Sequence, residues 1–118
     1  MRNIVLIGPM GAGKTTVGKQ LAEHFSLDFV DADAALEDRL GVSILTIFDI
    51  EGEDGFRKRE NTILHELCER KNIVLATGGG AILMEDNRIL LRRAGTVVYL
   101  DASIDAQVKR TRNRRDRP

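Results

Sequence analysis

The sequence predicts an α/β domain whose parallel sheet is covered by helices on both faces. Two observations carry this. Short apolar runs alternate with segments of helical periodicity along the chain. A glycine-rich segment, G-x-x-x-x-G-K-T, stands between the first run and the first helix. No repeat, low-complexity stretch or linker divides residues 1–118, which are read as one domain with one core.

Residues 4–7 are the first expected strand, and Val17, Leu21, Ala22 and Phe25 mark the helix after Lys14. Residues 29–30 begin the second strand, which is expected to end in Asp31-Ala32-Asp33. Phe56, Ile63, Leu64, Leu67 and Cys68 recur at helical spacing before a third strand at 73–76. Ile89, Leu90 and Leu91 mark a further helix, Gly95 sits where its end is expected, and residues 96–100 form the fourth strand.

The 18 basic and 18 acidic side chains cancel. A neutral chain lacks the basic face that nucleic-acid binding requires, so no nucleic-acid partner is expected. The local exception is Lys109, Arg110, Arg112, Arg114, Arg115 and Arg117 against Asp116, a basic run that a solvated tail would also explain. Cys68 stands alone, which excludes an internal disulfide and fits a reducing cytoplasm. No leader pattern is visible, and no apolar stretch approaches the roughly 20 residues of a membrane span. A soluble cytoplasmic protein with no membrane partner is expected.

The segment at 8–15 carries the clearest chemistry. Phosphate oxygens need several convergent N–H donors, and glycines at 8, 11 and 13 let the backbone turn sharply and come close. The N–H groups of Gly11, Ala12 and Gly13 and the following helix N-terminus would cradle phosphates. Lys14 would reach the β- and γ-phosphates, Thr15 would ligate Mg²⁺, and Thr16 would donate to the α-phosphate of ATP.

Asp31 and Asp33, two apart at a strand's carboxyl end, are expected to project to one side, where open parallel sheets bind ligands. One would support the magnesium shell and the other a substrate hydroxyl, although Asp33 alone also suits a helix N-cap. Arg57 and Glu60 are i, i+3 neighbours and fit a surface ion pair. Gly78, Gly79 and Gly80 follow the third strand, either to bring backbone close to a ligand or as a flexible turn.

With these residues in view, the chain closely resembles bacterial shikimate kinases from Asn3 to Pro118. The likeness rests on G-P-M-G-A-G-K-T-T at 8–16, F-V-D-A-D at 29–33, I-F at 47–48, G-E at 52–53, F-R at 56–57 and Glu60. It continues through A-T-G-G-G at 76–80, V-V-Y-L at 97–100 and the closing R-P. Many kinases and GTPases share the first motif; the combination with D-x-D, G-E-x-x-F-R and G-G-G is far more specific.

The resemblance implies a three-layer P-loop fold of the nucleoside-monophosphate-kinase type with strand order 2-3-1-4. It implies transfer of the γ-phosphoryl group of MgATP to the 3-hydroxyl of shikimate. Lys14, Asp33 and Arg117 are then the expected catalytic residues, with Asp31 an outer-shell magnesium partner. Arg57 and Gly78, Gly79 and Gly80 would clamp shikimate, Arg110 would stack on adenine, and Arg117 would reach the transferring phosphates from a lid. Family members continue past this R-P through the lid, another arginine, a fifth strand and a helix. The chain is therefore expected to cover about two-thirds of a family member and to stop inside the lid. Complete, it is expected to be monomeric. Ending there, it would expose residues 96–100 as a sheet edge, self-associate, and be marginally stable and nearly inactive. Two rival readings are a related kinase acting on an acceptor such as gluconate, and a nucleotide-binding module without turnover.

Overall fold

The computed structural model describes residues 3–9 and 11–101. Its elements in chain order are β1 (Asn3–Ile7), α1 (Lys14–Phe25), β2 (Asp28–Asp31), α2 (Ala32–Leu40), α3 (Ile44–Leu67), β3 (Ile73–Ala76), a 3₁₀ turn (Ala81–Leu83), α4 (Glu85–Ala94) and β4 (Gly95–Tyr99). The strands form one parallel sheet in the order β2-β3-β1-β4. This is the expected α/β architecture and strand order.

Alternation along each strand builds the layers. Ile4 and Leu6 of β1, Val74 of β3 and Phe29 of β2 face α1, where Val17, Leu21 and Ala22 cover them. Val5, Ile7, Val30, Ile73, Leu75 and Val97 face the opposite side, packed under Leu36 of α2, Ile63, Leu64 and Leu67 of α3, and Leu91 of α4. The paired registers, Val5 with Leu75 and with Val97, align the strand ends so that three loops leave the same edge.

Several expectations need correction. The second strand ends at Asp31, and Ala32 already begins α2. Asp31, rather than Asp33, is the N-cap: its Oδ1 accepts from the Ala34 N–H at 3.0 Å. Asp33 lies in the first helical turn, so strand alternation does not bring the two carboxylates together; the tight strand-to-helix junction does. α2 and the first half of α3 were not foreseen: α2 offers mainly small alanines, and the apolar residues of 44–50 point both ways, with Ile47 buried and Leu45 and Ile50 exposed. Ser43 caps α3, and Gly52 interrupts it with a φ of 73° that leaves the helical region. Gly95 does stand at the end of α4, as expected, with an extended φ of 177°. A Cβ there would collide with the backbone of Asn3, and glycine is what allows β4 to start beside β1 directly after α4.

Candidate active site at the carboxyl end of the sheet

The loops after β1, β2 and β3 converge on a cavity of about 400 Å³. Gly11, Gly13, Lys14 and Thr15 line it from the first loop, Asp31 and Asp33 from the β2–α2 junction, and Gly78 and Gly79 from the turn after β3. Gly13 caps α1 at a φ of 85°, the left-handed region, which turns the chain so that the helix N-terminus points into the cavity. Ala12 is buried behind the loop, its N–H donating to Pro9 O at 3.2 Å, and Thr16 is exposed on α1 outside the cavity lining.

The Lys14 ammonium donates to Gly8 O at 2.5 Å and Pro9 O at 3.0 Å, held over the loop that it would serve. Burial holds its pKa below the ordinary lysine range, while the charges of Asp33 and Asp31 pull the other way. Asp33 is the complementary case. Burial pushes its carboxyl up, Asp31 and Glu37 add to the rise, and Lys14 and Arg57 oppose it.

Arg57 sits behind the cavity. Its Nη1 donates to Glu60 Oε1 at 2.9 Å, Glu53 lies 3.7 Å from its Nε, and its guanidinium lies 5.0 Å from the Phe56 ring centroid. The surface-pair reading of Arg57 and Glu60 is overturned: the side chains are only 20% and 3% exposed. Burial raises the Glu60 pKa, with Arg57 opposing and Asp33 adding. Arg57 Nε is buried and lacks a hydrogen-bond partner among the described residues.

The glycine triplet has a use that the sequence did not reveal. A Cβ on Gly78 would stand 3.0 Å from Asp33 Oδ1, and one on Gly80 would collide with the Arg57 guanidinium. These two glycines leave room for the two side chains expected to grip an acceptor. Thr77, also unforeseen, fixes the start of this turn: its N–H and Oγ1 both donate to Leu6 O, at 3.1 and 3.0 Å. Arg110 and Arg117 lie outside the described residues.

A second concavity, of about 450 Å³, lies between α2 and α3 and shares no residue with the first. Leu36, Leu40 and Ile63 form its apolar floor and the Arg39–Glu66 ion pair borders it, as two packed helices would leave. The glycine-rich loop does not line it.

A glycine-rich loop and a carboxyl pair meet at one edge of the sheet with an arginine behind them, and comparison shows the family. The shikimate kinase family profile matches residues 10–118. The chain belongs to the shikimate kinase family. A curated family member from Haemophilus influenzae (strain PittEE) is 53% identical over 117 residues, which are 99% of this chain and 65% of that protein. The solved shikimate kinase from Acinetobacter baumannii in complex with shikimate superposes with a TM-score of 0.90 at 51% identity, covering 100% of this chain and 66% of that one. A gluconokinase from Sinorhizobium meliloti is 22% identical with a TM-score of 0.59, a likeness of fold alone. The chain thus spans 65% of the length of the Haemophilus relative. Among the described residues, no helix is long and apolar enough to cross a membrane.

Proposed function

We propose that this chain carries the nucleotide and acceptor sites of an enzyme that transfers the γ-phosphoryl group of ATP to the 3-hydroxyl of shikimate. One observation carries the reading. Lys14 and Thr15 line one cavity with Asp33, and Arg57 stands directly behind the glycine turn of that cavity, in a chain of the shikimate kinase family. The Acinetobacter relative was solved with shikimate, which supports the acceptor.

In this reading the loop N–H groups, including those of Gly11, Ala12 and Gly13, hold the phosphates, with Thr16 at the α-phosphate. Lys14 stands at the β- and γ-phosphates and compensates charge as the γ-phosphoryl leaves ADP. Asp33 orients the attacking hydroxyl and accepts its proton; burial, which raises its pKa, brings it nearer to that task. Arg57, with a buried Nε still to be paired, meets the acceptor carboxylate alongside Gly78, Gly79 and Gly80. Arg110 and Arg117 are assigned to adenine and to the transferring phosphates by family likeness.

Thr15 and Asp31 fit a magnesium ion. Both offer hard oxygen donors to the cavity, and Asp31 keeps Oδ2 beyond the cap bond made by Oδ1. When bound, the ion supplies charge neutralisation at the phosphates.

The deciding experiment is coupled ADP release with shikimate, with gluconate and with no acceptor, on the 118-residue chain and on a chain extended to the length of its relatives. Shikimate-dependent ADP release is expected from the extended chain, and little from the 118-residue one. Release with gluconate would favour the other acceptor class, and nucleotide binding without turnover in both chains would favour a binding module.

A further inference from the structure

We propose that Asn87, on α4 and outside the cavity, is a positioning residue that sets the Gly78–Gly80 turn against Arg57. Asn87 is fully buried, at 0% exposure. Its Nδ2 donates to Ala81 O at 2.9 Å, and its Oδ1 accepts from Asn61 Nδ2 at 2.8 Å. A buried amide is costly unless both ends are paired, and here both ends are.

What it joins is the point. Ala81 follows Gly80 directly, and Ala81 N–H donates back to Gly78 O at 3.1 Å. The three glycines bring no side chains of their own, so the turn is fixed from outside, by Thr77 at its start and by Asn87 at its end. Arg88, next on α4, reinforces the second anchor through Nη1 to Ile82 O at 2.6 Å. Asn61 lies one helical turn after Arg57 on α3. Asn87 therefore bonds at one end to the turn that leaves room for Arg57 and at the other to the helix that carries Arg57. An apolar residue of the same size would fill the space, yet leave Ala81 O unpaired and the turn free to shift relative to the guanidinium.

This inference rests on the proposed acceptor reading, and its test separates the two. Shikimate and MgADP are titrated separately into the full chain by calorimetry, with a thermal melt of every protein. If the parent fails to bind shikimate, the acceptor reading falls, and this inference falls with it. If the parent binds, Asn87→Ala is expected to weaken shikimate binding about tenfold while MgADP affinity stays within about twofold. Leu91→Ala, one turn along α4 and 1% exposed, is the control: it should lower the Tm comparably and leave shikimate binding unchanged. Asn61→Ala cuts the same joint from its half-buried side and serves if Asn87→Ala does not fold. It is expected to show the same selective loss, smaller in size. Parent-like shikimate affinity in a folded joint variant, or equal losses for shikimate and MgADP, overturns the proposal. So does a shikimate loss in Leu91→Ala matching that in Asn87→Ala.

Discussion

Lys14 and Asp33 attract each other across the cavity, and burial works against the charge on each. Lys14→Ala removes a charge that the backbone donors of the loop cannot replace. It is expected to cost about 1.5–3 kcal/mol of MgADP affinity, read by calorimetry on the folded variant; unchanged affinity would mean that the loop does not hold the phosphates. Asp33 makes a prediction about pH. The folded protein holds the Asp33 proton to higher pH than the unfolded chain, so ionising it costs stability as pH rises from the ordinary aspartate range through the raised value. Below that range the cost is absent. Asp33→Asn should therefore melt above the parent near pH 7, and the gap should close below about pH 4. Melts between about pH 3 and pH 8 check this, and a gap independent of pH would point to packing instead. In the coupled assay the same variant should lose turnover far more than nucleotide affinity.

At the scale of elements, caps and turns do what the hydrophobic pattern alone does not. Ser43 accepts from the Thr46 N–H at 3.1 Å and fixes where α3 starts, just ahead of the core-facing Ile44, Ile47 and Phe48. Ser43→Ala should cost about 1 kcal/mol in urea unfolding without changing MgADP affinity, since the cap lies away from the cavity. The turn after β3 gives the opposite pattern. Gly80→Ala would place a Cβ against the Arg57 guanidinium, which the buried Glu60 restrains. Shikimate affinity is expected to drop about tenfold or more while MgADP binding holds; a parallel loss of both ligands would show that the turn distorts the phosphate loop as well.

Across β1 and β3 the sheet is buried on two faces, and the larger core depends on α3. Leu64 is 0% exposed among residues from β1, β3, α2 and α4. Leu64→Ala is expected to cost about 2–5 kcal/mol, a large share of the roughly 5–15 kcal/mol that holds a typical domain. Urea unfolding should show an earlier midpoint with an unchanged slope; a loss below about 1 kcal/mol would mean that the face collapses around the gap.

The fold class, the glycine-rich turn between β1 and α1 and the family were legible because they are written locally. Alternating apolar runs mark strands buried on both faces, and G-P-M-G-A-G-K-T carries its chemistry in the backbone wherever a strand precedes it and a helix follows. Asp31, Asp33, Arg57 and the glycine triplet were legible as residues, but their relations were not. Whether Arg57 and Glu60 form a surface pair or a buried one depends on what covers α3, and identical spacing permits both. Asp33 was read as a strand end because nothing in D-A-D tells a strand from a helix's first turn; the junction after β2 decided that. The purpose of Gly78 and Gly80, and the bond from Asn61 to Asn87, arise from residues far apart in the chain meeting in space. Such meetings follow from how helices stack on a sheet, a long-range packing outcome that no short window of sequence encodes.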